Sequence, residues 1–155
     1  MISRLAEARD LPVLLELSHR QQIETLPHLD FDVDVATATF EAYMTTANPT
    51  FLVVEDEGEV IGFLMALFHA YGFCRGHFVG QEVIYVRPDK RGTRAAARLV
   101  KAYDEWAAQT EPREIFAGVA NGVTIDRTVR FFEHFGYDLV GATLRRIPNN
   151  GQGRQ

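Results

Sequence analysis

Residues 82–109 read EVIYVRPDKRGTRAAARLVKAYDEWAAQ, and the fold turns on how this stretch divides. Val83, Ile84, Tyr85 and Val86 are β-branched or aromatic and read as a buried strand. Pro88 has no N–H to give and ends the ladder there. A short basic turn follows, Asp89-Lys90-Arg91-Gly92-Thr93. Beyond it the period changes: Ala96, Leu99, Val100, Tyr103, Trp106 and Ala107 recur at three- and four-residue steps, one apolar face of a helix. Strand, glycine-bearing basic loop and helix start bring unpaired N–H groups and the positive end of a helix dipole to one place. Polyphosphate suits that place. The alternative is an ordinary amphipathic helix behind a surface turn.

Working outward, Ile2 to Ala6 reads as a short strand. Asp10-Leu11-Pro12 is a helix start with Asp as N-cap and Pro in the first turn. Val13, Leu14, Leu17 and Ile23 would form the buried face of that helix. Leu26 to Val35, with Pro27, Asp30, Asp32 and Asp34, reads as a loop anchored by Leu29 and Phe31. A second helix is predicted from Asp34 or Val35 to Thr46. Phe51 to Ala66 is a hairpin turning at Asp56-Glu57-Gly58, where Gly58 suits a positive φ. Gly62, inside its second strand, marks a bulge or a close backbone approach. Another antiparallel strand begins near Phe78. After the central helix come a strand at Ile115 to Val119, a helix from about Thr124 to Phe135 with Val129, Phe132 and Phe135 inward, and final strands at Tyr137 to Val140 and Ala142 to Ile147. Pro148 to Gln155 is expected to be a disordered tail.

The chain has 155 residues, 46% of them hydrophobic, enough for one core of ordinary size without disulfide or metal. Its one cysteine, Cys74, forms no internal disulfide and fits a reducing, cytoplasmic setting. No apolar run is long enough to span a bilayer. From Gln21 to Cys74 there is no Lys or Arg, while Glu24, Asp30, Asp32, Asp34, Glu41 and further carboxylates crowd the interval. From Tyr85 to Lys101 the balance reverses, with Arg87, Lys90, Arg91, Arg94, Arg98 and Lys101 against Asp89 alone. That asymmetry would hold an anion on one side and attract a cationic amine to the other. A net charge of −5 and a basic cluster confined to one turn and helix argue against nucleic acid. His69, His77 and Glu82 match no zinc spacing, so no metal is expected.

The segment V-x-P-x-x-R-G followed by small residues resembles the acyl-CoA-binding motif of the GNAT N-acetyltransferase superfamily. The correspondence runs through Arg91, Gly92, Thr93, Arg94, Ala95 and Ala96, with Arg94 where the family usually has Gly. Phe131-Phe132-Glu133-His134-Phe135-Gly136-Tyr137 is similar to the family's L-Y-E-K-L-G-F, with Phe132 in the place of Tyr and Ile125 in the place of an Asn. The order of elements agrees over about Ile2 to Ile147. The resemblance implies one α/β (α+β) domain, 1–147, with a mixed, mostly antiparallel sheet of about six to seven strands and about four helices. It implies acetyl-CoA as co-substrate, held by Arg91 to Ala96, with the backbone at Tyr85 and Val86 along the thioester arm and Phe132 against it. It also implies N-acetyl transfer to a primary amine of a small molecule or peptide. An acyl-CoA-binding module without turnover is the alternative, and a homodimer is left open.

An amine of lysine type has a reference pKa of about 10.4 and must lose a proton before it attacks a thioester. Glu82 is on the strand before the phosphate loop, and period-2 geometry puts it on the face of Val86. Acting through a water, it is the candidate base; a salt-bridged or merely solvated Glu is the alternative. A departing thiol, with a reference pKa of about 8.5, needs no obligatory acid, and Tyr85, Tyr137 and Tyr71 are the tyrosines that could supply one.

Overall fold

The computed structural model describes residues 1–46, 48, 50–118 and 122–148. Two compact units divide the chain, Met1–Ala117 and Gly118–Gln155. In the first, the order is β1 (Ile2–Leu5), α1 (Leu11–Thr25), α2 (Val33–Thr45), β2 (Thr50–Asp56), β3 (Glu59–Ala70), β4 (His77–Val86), α3 (Ala95–Gln109) and β5 (Glu114–Phe116). The second holds α4 (Ile125–Glu133). The five strands form one sheet in chain order, antiparallel except for the parallel β4–β5 pair. This mixed α/β architecture agrees with the class expected from the sequence, with fewer strands. No strand forms from Tyr137 to Pro148. Leu139, Val140, Leu144 and Ile147 are all exposed there, so those apolar residues lack the covered face that would make the segment a strand. The expected tail lies, beyond Pro148, outside the described residues, as does Val119.

Alternation along the strands feeds two cores. Phe51, Val53, Phe63, Met65 and Tyr85 meet Leu14 and Leu17 of α1 and Phe40 of α2. Leu52, Val54, Leu64 and Ala66, one step out of phase, are buried on the other face, where α3 crosses β2, β3 and β4 with Leu99, Val100, Tyr103 and Ala107 buried. Ile23, expected on the inner face of α1, is 60% exposed, while its neighbour Glu24 turns to Tyr85 and Arg91.

Asp10 sits at the N-cap position of α1, but its carboxylate does not cap. It takes the fork of Arg4, at 2.7 and 3.0 Å, and the N–H of Glu7. Asp32 caps α2 instead, accepting from the N–H groups of Asp34 and Val35, so that helix begins slightly earlier than predicted. The hairpin turns on Glu57 and Gly58, both at positive φ, as a two-residue type I′ turn requires.

Two bulges set the geometry of the centre. Between β2 and β3, Ile61 is the extra residue. A Cβ on the neighbouring Gly62 would lie 2.7 Å from the Tyr85 carbonyl oxygen, so the close approach expected at that glycine is present. Between β3 and β4, Met65 pairs with Val83 and Ala66 with Gln81, which leaves Glu82 as the extra residue on β4.

Candidate active site

The β4 bulge decides where Glu82 points. Strict alternation would put it with Val86, on the α3 face. With one residue inserted, Glu82 lines the same groove as Val83, Phe63 and Met65, on the face covered by α1 and α2. The face-sharing with Val86 is therefore corrected: alternation fails at the inserted residue. The carboxylate remains half-exposed, with its Oε1 3.4 Å from Nε2 of His69. The imidazole stacks on Phe78 at 4.8 Å and packs over Gly80, where a Cβ would come within 3.4 Å of the ring. The sequence placed His69 and Glu82 near one another only as a rejected metal set; the register pairs His69 with Phe78, and its ring reaches Glu82 by lying across Gly80. No group of three metal-ligating side chains occurs among the described residues.

The groove is about 380 Å³ and runs beneath α2. Asp30, Asp32 and Glu82 line it, and Asp34 does not. Tyr43, which the sequence did not single out, lines it too. Burial pushes its phenol up, and the charge of Glu82 adds to this.

At the C-terminal end of β4, Arg87 donates its N–H to the Ile61 carbonyl. Neighbouring residues of a strand face opposite ways, so the N–H and C=O of Val86 turn away from β3. On that side the pairing of β4 with β5 ends at Gly80–Phe116, six residues before β4 itself ends at Val86. Gly92 then has φ +79°, a left-handed conformation that suits glycine, and a Cβ there would meet nothing within 4 Å. Thr93 Oγ1 donates to the Lys90 carbonyl at 2.6 Å and accepts from the N–H of Ala95. Arg94 has φ −76°, so the residue that replaces the family's glycine is unstrained. The first helical bond of α3 joins the Arg98 N–H to the Arg94 carbonyl, which leaves the N–H groups of Ala96 and Ala97 without a helical acceptor.

The basic residues of this loop divide into two groups. Arg87 is paired with Glu59 and Asp89, Lys90 with Asp56, and Arg91 with Glu24. Among the described residues Arg94 and Arg98 form no ion pair, and both line an open cavity of about 610 Å³ together with Gly92 and Thr93. Arg98 was not a predicted site residue, although its i,i+4 spacing from Arg94 was visible. Arg91 was predicted to meet phosphate, and its side chain is committed to α1. Its hydrogen bond to Glu24 holds that carboxyl below the ordinary range against the opposing effect of burial.

Two of the three tyrosines considered as acids have their hydroxyls engaged. Tyr85 is buried and donates to Glu24 at 3.3 Å, and burial pushes its phenol up. Tyr71 donates to Glu114, which holds it up at about 12. In the second unit, Phe132 is buried, edge-on to Phe131 and Tyr137.

Residues 11–137 match the Acetyltransferase (GNAT) family. No curated protein sequence matches the chain. Among solved structures, a transcriptional regulator from Bacillus halodurans is 18% identical with a TM-score of 0.77, over 94% of this chain and 97% of that one. The aminoglycoside 6'-N-acetyltransferase AAC(6')-IG from Acinetobacter haemolyticus is 18% identical with a TM-score of 0.73, over 96% and 99%. AAC(6')-Iy in complex with a CoA-based bisubstrate analogue is 20% identical with a TM-score of 0.72, over 95% and 97%. At these identities the likeness is one of fold. The match over residues 11–137 places the chain in the GNAT family of acetyltransferases.

Proposed function

We propose that this member of the GNAT family moves an acetyl group from acetyl-CoA to a primary amine by direct attack. The observation that carries the reading is the layout of β4. Its C-terminal end leads into an open glycine loop flanked by Arg94 and Arg98, and its bulge presents a half-exposed carboxylate, Glu82, to a separate groove. The donor's diphosphate fits against the N–H groups from Gly92 to Ala96, with Arg94 and Arg98 as counter-charges. The pantetheine arm fits along the β4 edge beyond Gly80, with the Val86 N–H as the donor available to the carbonyl oxygen as it gains charge. Aminoglycoside N-acetyltransferases of the same fold, one of them bound to a CoA-based bisubstrate analogue, support an amine acceptor and a CoA donor.

In the step itself, an ammonium at the groove gives a proton to Glu82 through a water. The free amine nitrogen attacks the thioester carbon, the C–S bond breaks with sulfur leaving as thiolate, and the attacking nitrogen gives its second proton to water, which leaves a neutral amide. His69 beside Glu82 can take the proton on towards solvent. No acid is needed for a leaving group of that basicity. The test is release of free thiol from acetyl-CoA with a panel of primary amines; acceptor-dependent release is expected, and none with any amine would reject the reading.

One observation favours a binding module without turnover: Phe132 has no hydroxyl, and those of Tyr85 and Tyr71 are already donated to Glu24 and Glu114. Tight CoA binding without thiol release would establish that alternative.

A further inference from the structure

The groove that receives Glu82 has a character the acidic interval of the sequence did not suggest. Along α2 it is lined by Asp32, Val35, Ala36, Thr39, Phe40 and Tyr43, one helical face extending about 16 Å at 1.5 Å per residue. Its other wall is Phe63, Met65 and Val83 from the sheet. Hydrogen-bonding side chains are Ser18, Gln21, Thr39 and Tyr43 together with the three carboxylates, half of the lining, and the other half, the floor included, is apolar. No Lys or Arg lines it.

Resting on the acetyltransferase reading above, we propose that the acceptor is a primary amine carried on an apolar, aromatic or alkyl, body, with the ammonium at Glu82 and the body between α2 and the β3–β4 floor. The walls decide the class. An apolar body gains by leaving water against Val35, Phe40, Phe63 and Met65. A hydroxyl-rich acceptor would have to strip water from the polar groups that face Val35, Phe40 and the Phe63, Met65 and Val83 floor, which return no hydrogen bonds. An acidic acceptor would meet Asp30, Asp32 and Glu82 with no cation beside them. The charge of the groove thus selects the ammonium and its walls select the rest of the molecule. That assignment separates this chain from the aminoglycoside-modifying enzymes whose fold it shares.

Calorimetric titration tests this, first with CoA alone and then with amines in the presence and absence of CoA. Failure of CoA to bind would tell against the acetyltransferase reading; the amine titrations judge the groove separately. 2-Phenylethylamine should bind at least tenfold more tightly than ethanolamine and more tightly than an aminoglycoside. Ala36→Arg puts a long cation into the groove from a good helix-forming residue and should weaken 2-phenylethylamine at least tenfold while CoA affinity holds. Val35→Arg, at a position 64% exposed, provides the same test if the first variant melts early. Equal affinity for the three amines, tighter binding of the aminoglycoside, or 2-phenylethylamine binding untouched by both variants would overturn the assignment.

Discussion

Arg91 grips Glu24 with both terminal nitrogens of its guanidinium, Nη2 lying 2.8 Å from Oε2, and with its Nε holds the Val86 carbonyl at 3.0 Å. One side chain thus ties the phosphate loop to α1 and to the end of β4, with the Tyr85 ring beneath it at 5.4 Å. Glu24→Gln should remove a partly exposed pair and lower stability by about 1 kcal/mol, the upper end for such pairs. Thermal melting checks this. CoA affinity should fall less than it does when Arg94 is removed, if Arg91 serves the loop through its pair with Glu24 and not as a phosphate ligand.

Arg94 and Arg98 are the loop's uncommitted cations. Replacing both with Ala should weaken CoA about tenfold, or 1.4 kcal/mol, at low salt. Titrations at rising ionic strength should show a shallower salt dependence in the double variant than in the wild type. Identical salt dependence would place the diphosphate elsewhere.

Gly92→Pro should abolish CoA binding while leaving the sheet folded, since Pro holds φ near −65° and the loop needs +79°. Gly92→Ala should be milder, at about 1 kcal/mol of left-handed strain. Circular dichroism and titration of the two variants separate loop shape from global stability.

The loop and helix were legible because glycine, a basic turn and a change of period from two to 3.6 are all local signals. The hairpin at Glu57-Gly58 was legible for the same reason. The direction of Glu82 was not, because it depends on a one-residue insertion in β4 relative to β3, and a bulge leaves no composition mark at Gln81-Glu82-Val83. Nor was the partner of Arg91. Glu24 lies far away in the chain, and the charge pattern gave the sign of each region without its pairings. At the C-terminus, the apolar residues from Leu139 to Ile147 looked like strands by periodicity, but a strand also needs a ladder and a covered face, and those residues are exposed.

Stability should depend on acid through Asp10. Burial disfavours its charge, but the Arg4 fork and the Glu7 N–H outweigh that and hold the carboxyl below its ordinary 3.8. A depressed carboxylate stabilises the fold above the ordinary value and loses that contribution as pH falls through the folded one. Melting temperature should therefore drop below about pH 4. Asp10→Asn should lose about 2 kcal/mol at neutral pH, the scale of a hydrogen bond to a charged group, because Arg4 keeps its pair with Glu55, and should show a smaller further loss in acid.

The central claim is that Glu82 takes the proton of an attacking amine, and the most direct measurement is thiol release from acetyl-CoA by wild type and Glu82→Gln across pH, with CoA affinity measured in parallel. The account predicts a loss of about two orders of magnitude near neutrality, within the range for general-base catalysis, narrowing as pH approaches the amine's own pKa, with CoA affinity unchanged. An unaltered rate at every pH would contradict it.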